Sequence, residues 1–173
     1  KIVEALESGT AQGLTEAQVN QYIGEAYFYM GFAHATLATY WGDAVINKTG
    51  MSLEDAYSLK RSPKADVLAW AYECFDTAIK YLPDAMSSQM RPTKSAAYGF
   101  VARFALFHQD WEKAATYAKN CMDMNVYQLH PDYGDLFVSS KSPELMFYFK
   151  GDNAYNGGVG YYVGNEVKAF TPR

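Results

Sequence analysis

The chain has 173 residues, a formal net charge of −4 and 16% aromatic residues, with tyrosine at fifteen positions. This length fits one domain with a substantial core. The absence of a basic excess argues against a nucleic-acid partner. The longest apolar runs fall well short of the ~20 residues of a membrane span. Tyrosine can bury its ring while its hydroxyl stays in water, so the composition suits both helix packing and surfaces that bind polar ligands.

The first predicted helix runs from Thr15 to about Tyr40, because apolar residues recur there at intervals of three and four. Thr15 is a suitable N-cap, since its hydroxyl can accept a hydrogen bond from a free backbone amide. Apolar residues cover nearly the whole circumference of this helix, which predicts that it is central and buried.

A polar stretch, residues 47–61, is predicted to be a loop that leads to a second helix, Ser62–Leu82. Ser62 is the expected N-cap, and Pro63 suits the first helical position because it loses no useful donor there. Pro83 marks the end of this helix.

Two further helices are predicted over Thr93–His108 and Asp110–Met124, with Thr93 and Asp110 as caps. Asn125 is expected to end the last helix by adopting the left-handed backbone conformation. The inward face of the last helix is expected to include Trp111 and Met122, and Leu106 is expected to be buried in the helix before it. The four helices form two pairs offset by about 40 residues, which resembles tetratricopeptide-type pairing with a loop insertion.

After Met124 the helical pattern stops. Glu144–Phe149 is predicted to be a short strand, and a loop rich in glycine and tyrosine follows it. The predicted fold is therefore mainly α, with antiparallel tetratricopeptide-like helix pairs, one short strand and an irregular C-terminal segment. Cys74 and Cys121 lie in helical patterns without metal-ligand spacing, so we expect unpaired core thiols.

Four segments resemble those of SusD/RagB-type proteins, in the same order along the chain. "EAYFYMGFAHATLATYWGDAVI" resembles the helix that ends in an aromatic-Gly-Asp motif. "RSPKADVLAWAYECFDTAIKYLP" resembles the next helix with its Leu-Pro close. "RPTKSAAYGFVARFALFHQDWEKAATYAKNCMDMNVYQL" is similar to the Arg-x-Thr-Lys helix and the Trp-x-x-Ala helix, and "SPELMFYF" to the strand that follows.

The resemblance implies a lipid-anchored protein on the outer membrane that captures glycans without catalysing a reaction. Its implied partner is a TonB-dependent transporter of the SusC type, to which the glycan is passed. The resemblance also implies that residues 1–173 form one SusD-like domain fragment, in which residues 15–125 are the helical scaffold. Residues 126–173 would begin the irregular ligand-binding region, and the lipid anchor is expected outside this sequence.

Trp41 and Asp43 are the first candidate ligand residues. An indole face can stack on a pyranose ring while a carboxylate accepts hydrogen bonds from sugar hydroxyls. The alternative is structural: Trp41 would seal the apolar end of the helix, and Asp43 would cap a helix or turn the loop.

Tyr155, Asn156, Tyr161 and Tyr162 are the second candidate group. The glycines between them permit backbone conformations that could present the rings outward. The alternative is an ordinary turn that joins two strands.

An enzyme, a metal site and a cofactor site are the weakest hypotheses. The three histidines are scattered, and His34 is expected to be a hydrogen-bonded core residue. Asp43, Glu54 and Asp55 lie in predicted loops that would not hold them across a cleft, as a glycosidase requires. A helical-repeat adaptor that binds a peptide in a concave groove remains an alternative to glycan binding.

Overall fold

The computed structural model describes residues 2–50, 52–85, 88, 90–133 and 143–149. Within these ranges the regular structure consists of six helices: α1 Ile2–Glu7, α2 Glu16–Trp41, α3 Leu53–Ser58, α4 Lys64–Tyr81, α5 Lys94–Phe107 and α6 Trp111–Asp123. The mainly helical fold predicted from the sequence is confirmed.

The helices pack as two antiparallel pairs, α2 with α4 and α5 with α6. Near the start of α2, Gly24 lies against Leu82 just beyond the end of α4, whereas Ala38 near the end of α2 packs with Val67 in the first turn of α4. In the second pair, the Cys121 thiol near the end of α6 donates to the backbone oxygen of Ser95 at the start of α5. This is the tetratricopeptide-like arrangement that the sequence predicts.

Polar side chains fix the helix starts as predicted. Thr15 forms a capping box with Gln18, and the hydroxyl of Thr93 accepts a hydrogen bond of 3.2 Å from the Ala96 backbone N–H. Asp110 accepts one of 3.1 Å from the Lys113 backbone N–H. Beyond α6, Asn125 has the positive φ of 52° expected of a left-handed stop.

Two glycines let α2 and α4 approach closely. A Cβ atom on Gly24 would lie 2.9 Å from the backbone N of Leu82, and one on Gly31 would lie 3.0 Å from the backbone O of Ala71. The glycines are seven residues apart and therefore lie on one face of α2. A larger residue at either position would force the two helices apart.

Aromatic rings join both helix pairs at the core. Phe28 is fully buried, and its ring makes edge-on contacts with Phe75 of α4 and Phe100 of α5, with centroid separations of 5.8 and 5.4 Å. Phe147 adds a third edge-on contact at 5.3 Å from beyond α6.

The predicted strand Glu144–Phe149 is wrong, because the segment has no regular structure and no ladder partner among the described residues. Its alternating apolar side chains pack on helices instead: Phe147 lies against Phe28, and Phe149 lies 5.5 Å from the ring of Phe32. Apolar residues at every second position indicate that one side of an extended segment is buried. Here that side is buried against helices rather than within a sheet.

An ion pair joins the start of α2 to the segment before α5. Arg91 forms two parallel contacts with Glu25, Nε to Oε1 at 2.8 Å and Nη2 to Oε2 at 2.9 Å. The guanidinium also lies over the ring of Tyr22. The planar guanidinium of arginine suits this bidentate pairing with a carboxylate. The pair positions the chain immediately before the cap of α5.

Several burial predictions are wrong. Trp111 and Met122 were expected to face inward on α6, but both are exposed, as is Leu106 on α5. On α2 only one side is buried; Ala33 and Tyr40 on the other side are exposed. The physical reason is that α6 packs on α4 and α5 through one side. There Tyr117 binds Asp76 and Cys121 binds Ser95, whereas Trp111 and Met122 lie outside these contacts.

Two short helices, α1 and α3, are absent from the sequence predictions; α3 lies within the predicted loop 47–61. Both cysteines are free, as expected. Burial raises the pKa of the Cys74 thiol to about 12, so this thiol is protonated at neutral pH. Cys121 is half-buried, and burial raises the pKa of its thiol as well.

Candidate functional site

Two aromatic rings stand exposed at the C-terminal end of α2. Tyr40 and Trp41 are 75% and 70% exposed, and their centroids lie 5.9 Å apart with the ring planes at 71°. The helix stops directly after them, since Gly42 has a φ of 76° that suits glycine and its N–H donates to the Ala38 backbone oxygen. Trp41 is thus not buried against the end of the helix within the described residues. Because the two rings are nearly perpendicular, a flat ligand face can stack on one ring while the other ring borders it; we call this exposed pair the platform.

Asp43 lies beside this platform and has a structural partner. Its Oδ1 accepts a hydrogen bond of 2.8 Å from the backbone N–H of Lys64, the first residue of α4. The neighbouring residues Ala44 and Ser62 form an isolated antiparallel bridge that holds the two segments together. The prediction that Ser62 caps α4 is therefore wrong: Ser62 is occupied in the bridge, and the cap comes from Asp43. Ligand binding by Asp43 would have to use the rest of the carboxylate.

A second concave feature lies between α1, α2 and residues 47–50, and we call it the α1–α2 cleft. Its volume is about 720 Å³, and its lining is mainly apolar. The residues of α2 that line it include Tyr27, Tyr29 and Ala33, and Glu7 of α1 and Lys48 of the loop also line it. Pockets that bind small ligands commonly measure roughly 300–1,000 Å³, so this cleft has the size of a ligand site.

Buried His34 holds the loop of the cleft in place. Its Nδ1 lies 2.8 Å from the backbone oxygen of Met30 and its Nε2 lies 3.3 Å from the backbone N of Asn47. Because the Asn47 N–H must donate, Nε2 is the acceptor and Nδ1 carries the proton. His34 is thus a hydrogen-bonded core residue, as predicted. The next loop residue, Lys48, places its ammonium 4.2 Å from the centroid of the Trp70 ring.

The cleft's tyrosines are hydrogen-bond donors at neutral pH. Burial and then the carboxylate of Glu7 raise the pKa of Tyr27. Burial and then the carboxylate of Glu25 raise the pKa of Tyr29. Both phenols therefore keep their protons, and their rings present an apolar face together with a polar edge.

The sequence predicts only some of these features. It singles out Trp41 and Asp43, which the structure places at one end of α2, but not Tyr40 as an exposed ring or the α1–α2 cleft. The cleft depends on α1, whose apolar residues in "IVEALE" were the available signal. Tyr155, Asn156, Tyr161 and Tyr162 lie outside the described residues.

Asp43 and Asp55 each accept a hydrogen bond at the start of a helix. Besides Asp43, Asp55 accepts a 2.7 Å hydrogen bond from the hydroxyl of Ser52, which in turn accepts one from the Asp55 backbone N–H. Within the described ranges, groups of three or more His, Cys, Asp or Glu side chains that could hold a metal ion are absent. The helices described there are also too short or too polar to cross a membrane.

Residues 1–106 match the model of a SusD-like family described as starch-binding and associating with the outer membrane. The chain belongs to the SusD-like family. SusD-like protein P2 of Formosa agariphila is 26% identical over 136 residues, which cover 75% of this chain and 26% of that protein. The chain thus spans about a quarter of the length of this relative.

Solved structures of SusD-like proteins share the fold. One from Bacteroides fragilis matches with a TM-score of 0.76 and 20% identity, covering 90% of this chain and 32% of that one. A laminarin-binding SusD-like protein matches with a TM-score of 0.72 and 16% identity over 80% of this chain and 32% of its own. A crystal structure with xylogluco-oligosaccharide matches with a TM-score of 0.66 and 23% identity over 79% of this chain and 29% of its own. Members of this SusD-like family are carbohydrate-binding proteins.

Proposed function

We propose that this chain is part of a non-catalytic glycan-binding protein that serves nutrient uptake at the outer membrane. The protein would capture an oligosaccharide at the cell surface, where a lipid anchor holds it. It would then pass the sugar to a TonB-dependent transporter of the SusC type. Family membership supports the sugar chemistry and the association with the outer membrane.

The exposed Tyr40–Trp41 pair beside Asp43 is the observation that carries the proposal for this chain. Removing apolar surface from water is favourable, and a pyranose that stacks on the indole removes such surface on both partners. A carboxylate beside the ring can accept hydrogen bonds from sugar hydroxyls. Tyr155, Asn156, Tyr161 and Tyr162 are proposed to add contacts from the segment that follows the described residues.

Affinity electrophoresis tests glycan binding. The 173-residue chain is run through native gels that contain soluble starch, laminarin or xyloglucan. We expect retardation by at least one polysaccharide, and Trp41→Ala should reduce it while the circular dichroism spectrum keeps its helical signal. Trp111→Ala is the matched control, because it removes another tryptophan that is 61% exposed and lies outside the platform.

Each outcome bears on a different part of the proposal. If the chain migrates normally in all gels, glycan binding is contradicted. If binding is present but Trp41→Ala and Trp111→Ala behave alike, the platform is contradicted and the ligand lies elsewhere. The transfer step is tested separately by co-expression with a SusC-type transporter and purification through a tag on the transporter; failure to co-purify the SusD-like partner would contradict it.

A further inference from the structure

Three sulfur-containing side chains meet where α5, the end of α6 and the segment 143–149 come together. Cys121 and Met124 are three residues apart at the end of α6 and share one side of the helix. The thiol of Cys121 lies 3.7 Å from the thioether sulfur of Met146, which is 25 residues away in sequence. We call these three side chains the sulfur cluster. Only the tertiary structure assembles it.

Helix α5 forms the other side of the sulfur cluster. Ser95 is fully buried, and its hydroxyl donates a hydrogen bond of 3.2 Å to the sulfur of Met124. Its backbone oxygen accepts one of 3.4 Å from the Cys121 thiol. One turn later, a Cβ atom on Gly99 would lie 3.6 Å from the sulfur of Met146 and 3.0 Å from its methyl group. The Met146 thioether therefore lies directly against the bare backbone of α5.

The backbone of Met146 is held by contacts that do not involve its sulfur. The hydroxyl of Tyr127 donates a hydrogen bond of 3.3 Å to the Met146 backbone oxygen and lies 3.3 Å from the hydroxyl of Thr93. The next residue, Phe147, packs on Phe28 in the core. The backbone is thus fixed, whereas the flexible methionine side chain can adjust to a bound ion.

The types of ligand atom favour a soft metal ion. Thiolate and thioether sulfurs select Cu(I), whereas Mg²⁺ and Ca²⁺ prefer oxygen. Metal–sulfur bonds measure about 2.3 Å, so two sulfurs bound to one ion at about 120° lie roughly 4 Å apart. The sulfurs of Cys121 and Met146 are 3.7 Å apart and can therefore reach one ion with little movement.

The charge of the sulfur cluster favours a monovalent ion. Cys121 is its one ionisable member, and burial raises the pKa of this thiol. A thiolate with Cu(I) is neutral overall, whereas a divalent ion would leave a positive charge in a half-buried site, which is costly. Binding breaks the S–H bond of Cys121, forms a Cu–S bond and releases the proton to solvent. No electron is transferred.

We propose that Cys121, Met124 and Met146 bind a Cu(I) ion. This site is independent of the proposed glycan binding. The other thiol, Cys74, is fully buried and therefore closed to an ion from solvent, whereas Cys121 is half-buried and can be reached.

Competition for Cu(I) with the chromogenic chelator bicinchoninate tests this proposal. The full 173-residue chain is titrated in anaerobic buffer that contains ascorbate, and circular dichroism checks the fold of each variant. We expect the wild-type chain to withdraw one Cu(I) ion from the chelator. Cys121→Ser should abolish this uptake, whereas Cys74→Ser, the matched control, should leave it unchanged.

The two thioethers are tested by substitution with leucine, which keeps a similar volume and removes the sulfur. We expect Met124→Leu and Met146→Leu each to weaken Cu(I) binding by about tenfold or more. Met122→Leu is the matched control, because Met122 is 68% exposed at the end of the same helix. These variants also give the answer if Cys121→Ser fails to fold.

Three results would overturn the copper site. The first is a wild-type chain that withdraws no Cu(I) from the chelator. The second is a folded Cys121→Ser variant that still binds Cu(I) with wild-type affinity. The third is equal affinity in Met124→Leu, Met146→Leu and Met122→Leu.

Discussion

Asp43 caps a helix that begins 21 residues later. Its carboxylate accepts a hydrogen bond of 2.8 Å from the backbone N–H of Lys64. The first turn of a helix has four backbone N–H groups without intrahelical partners, and negative charge is favoured beside them. Asp43 thus joins the end of α2 to the start of α4 and stands next to the exposed Trp41 at the same time. A single residue thus joins the two helices directly after the exposed Tyr40–Trp41 pair.

We expect Asp43→Ala to lower the free energy of unfolding by about 0.5–2 kcal/mol, the usual cost of losing a helix cap. Asp43→Asn should lose less, because the amide oxygen can still accept the hydrogen bond. Ser62→Ala is the control: the Ser62 side chain does not cap α4, so its change should be close to neutral. Urea unfolding followed by circular dichroism measures all three. A larger loss for Ser62→Ala than for Asp43→Ala would contradict the assignment of the cap.

Gly24→Ala is expected to destabilise the α2–α4 pair. The added methyl group would lie 2.9 Å from the backbone N of Leu82, and a backbone atom cannot move aside cheaply. Overpacking of this kind costs about 1–3 kcal/mol, which exceeds the roughly 0.5–1 kcal/mol that alanine gains over glycine inside a helix. The thermal midpoint should therefore fall.

Gly99→Ala is the matched control for this effect. A Cβ atom there would lie 3.0 Å from the terminal methyl of Met146, the end of a flexible side chain. Met146 can rotate away, so the helix preference of alanine should leave Gly99→Ala neutral or slightly stabilising. Equal losses at Gly24 and Gly99 would contradict the distinction between backbone and side-chain neighbours.

His108 should make the protein less stable as the pH falls. Burial and then the positive charge of Lys64 lower the pKa of His108 below its ordinary value of 6.5, and its Nε2 lies 3.0 Å from the hydroxyl of Thr39. The unfolded chain therefore binds the proton more readily than the folded one. The contribution of neutral His108 to the free energy of unfolding is complete above pH 6.5. It is lost progressively as the pH falls through 6.5 toward the lower pKa of His108 in the folded protein.

Comparison with His108→Gln isolates this contribution. Glutamine can still donate to Thr39 but does not titrate. The free energy of unfolding is measured in urea at several values between about pH 7.5 and 5.5. We expect the wild-type value to fall more steeply than the variant's over this range, and parallel pH profiles would contradict the role of His108.

Local signals predicted the helix starts and stops well. Thr15, Thr93 and Asp110 each bind a backbone N–H within their own first turn, and Asn125 adopts the left-handed conformation at its own position. These interactions involve residues three or fewer positions apart, so the amino-acid order contains what is needed. The start of α4 was predicted wrongly because its cap comes from Asp43, far away in sequence.

Side-chain exposure was the least predictable property. Trp111 and Trp41 follow the apolar pattern of their helices, yet 61% and 70% of their surfaces are exposed. An apolar period indicates which residues share a face of a helix, but not whether another element covers that face. The cleft was missed for the same reason, since it forms only where α1 and residues 47–50 meet α2.

The sequence by itself determined the helical composition, most helix boundaries and the resemblance to SusD-like proteins. Tertiary structure alone decided that Tyr40 and Trp41 face solvent, that Asp43 caps α4 and that a cleft opens beside Tyr29. Backbone hydrogen bonds within helices depend on neighbours a few residues away, whereas burial, distant caps and cavities depend on which segments meet in space.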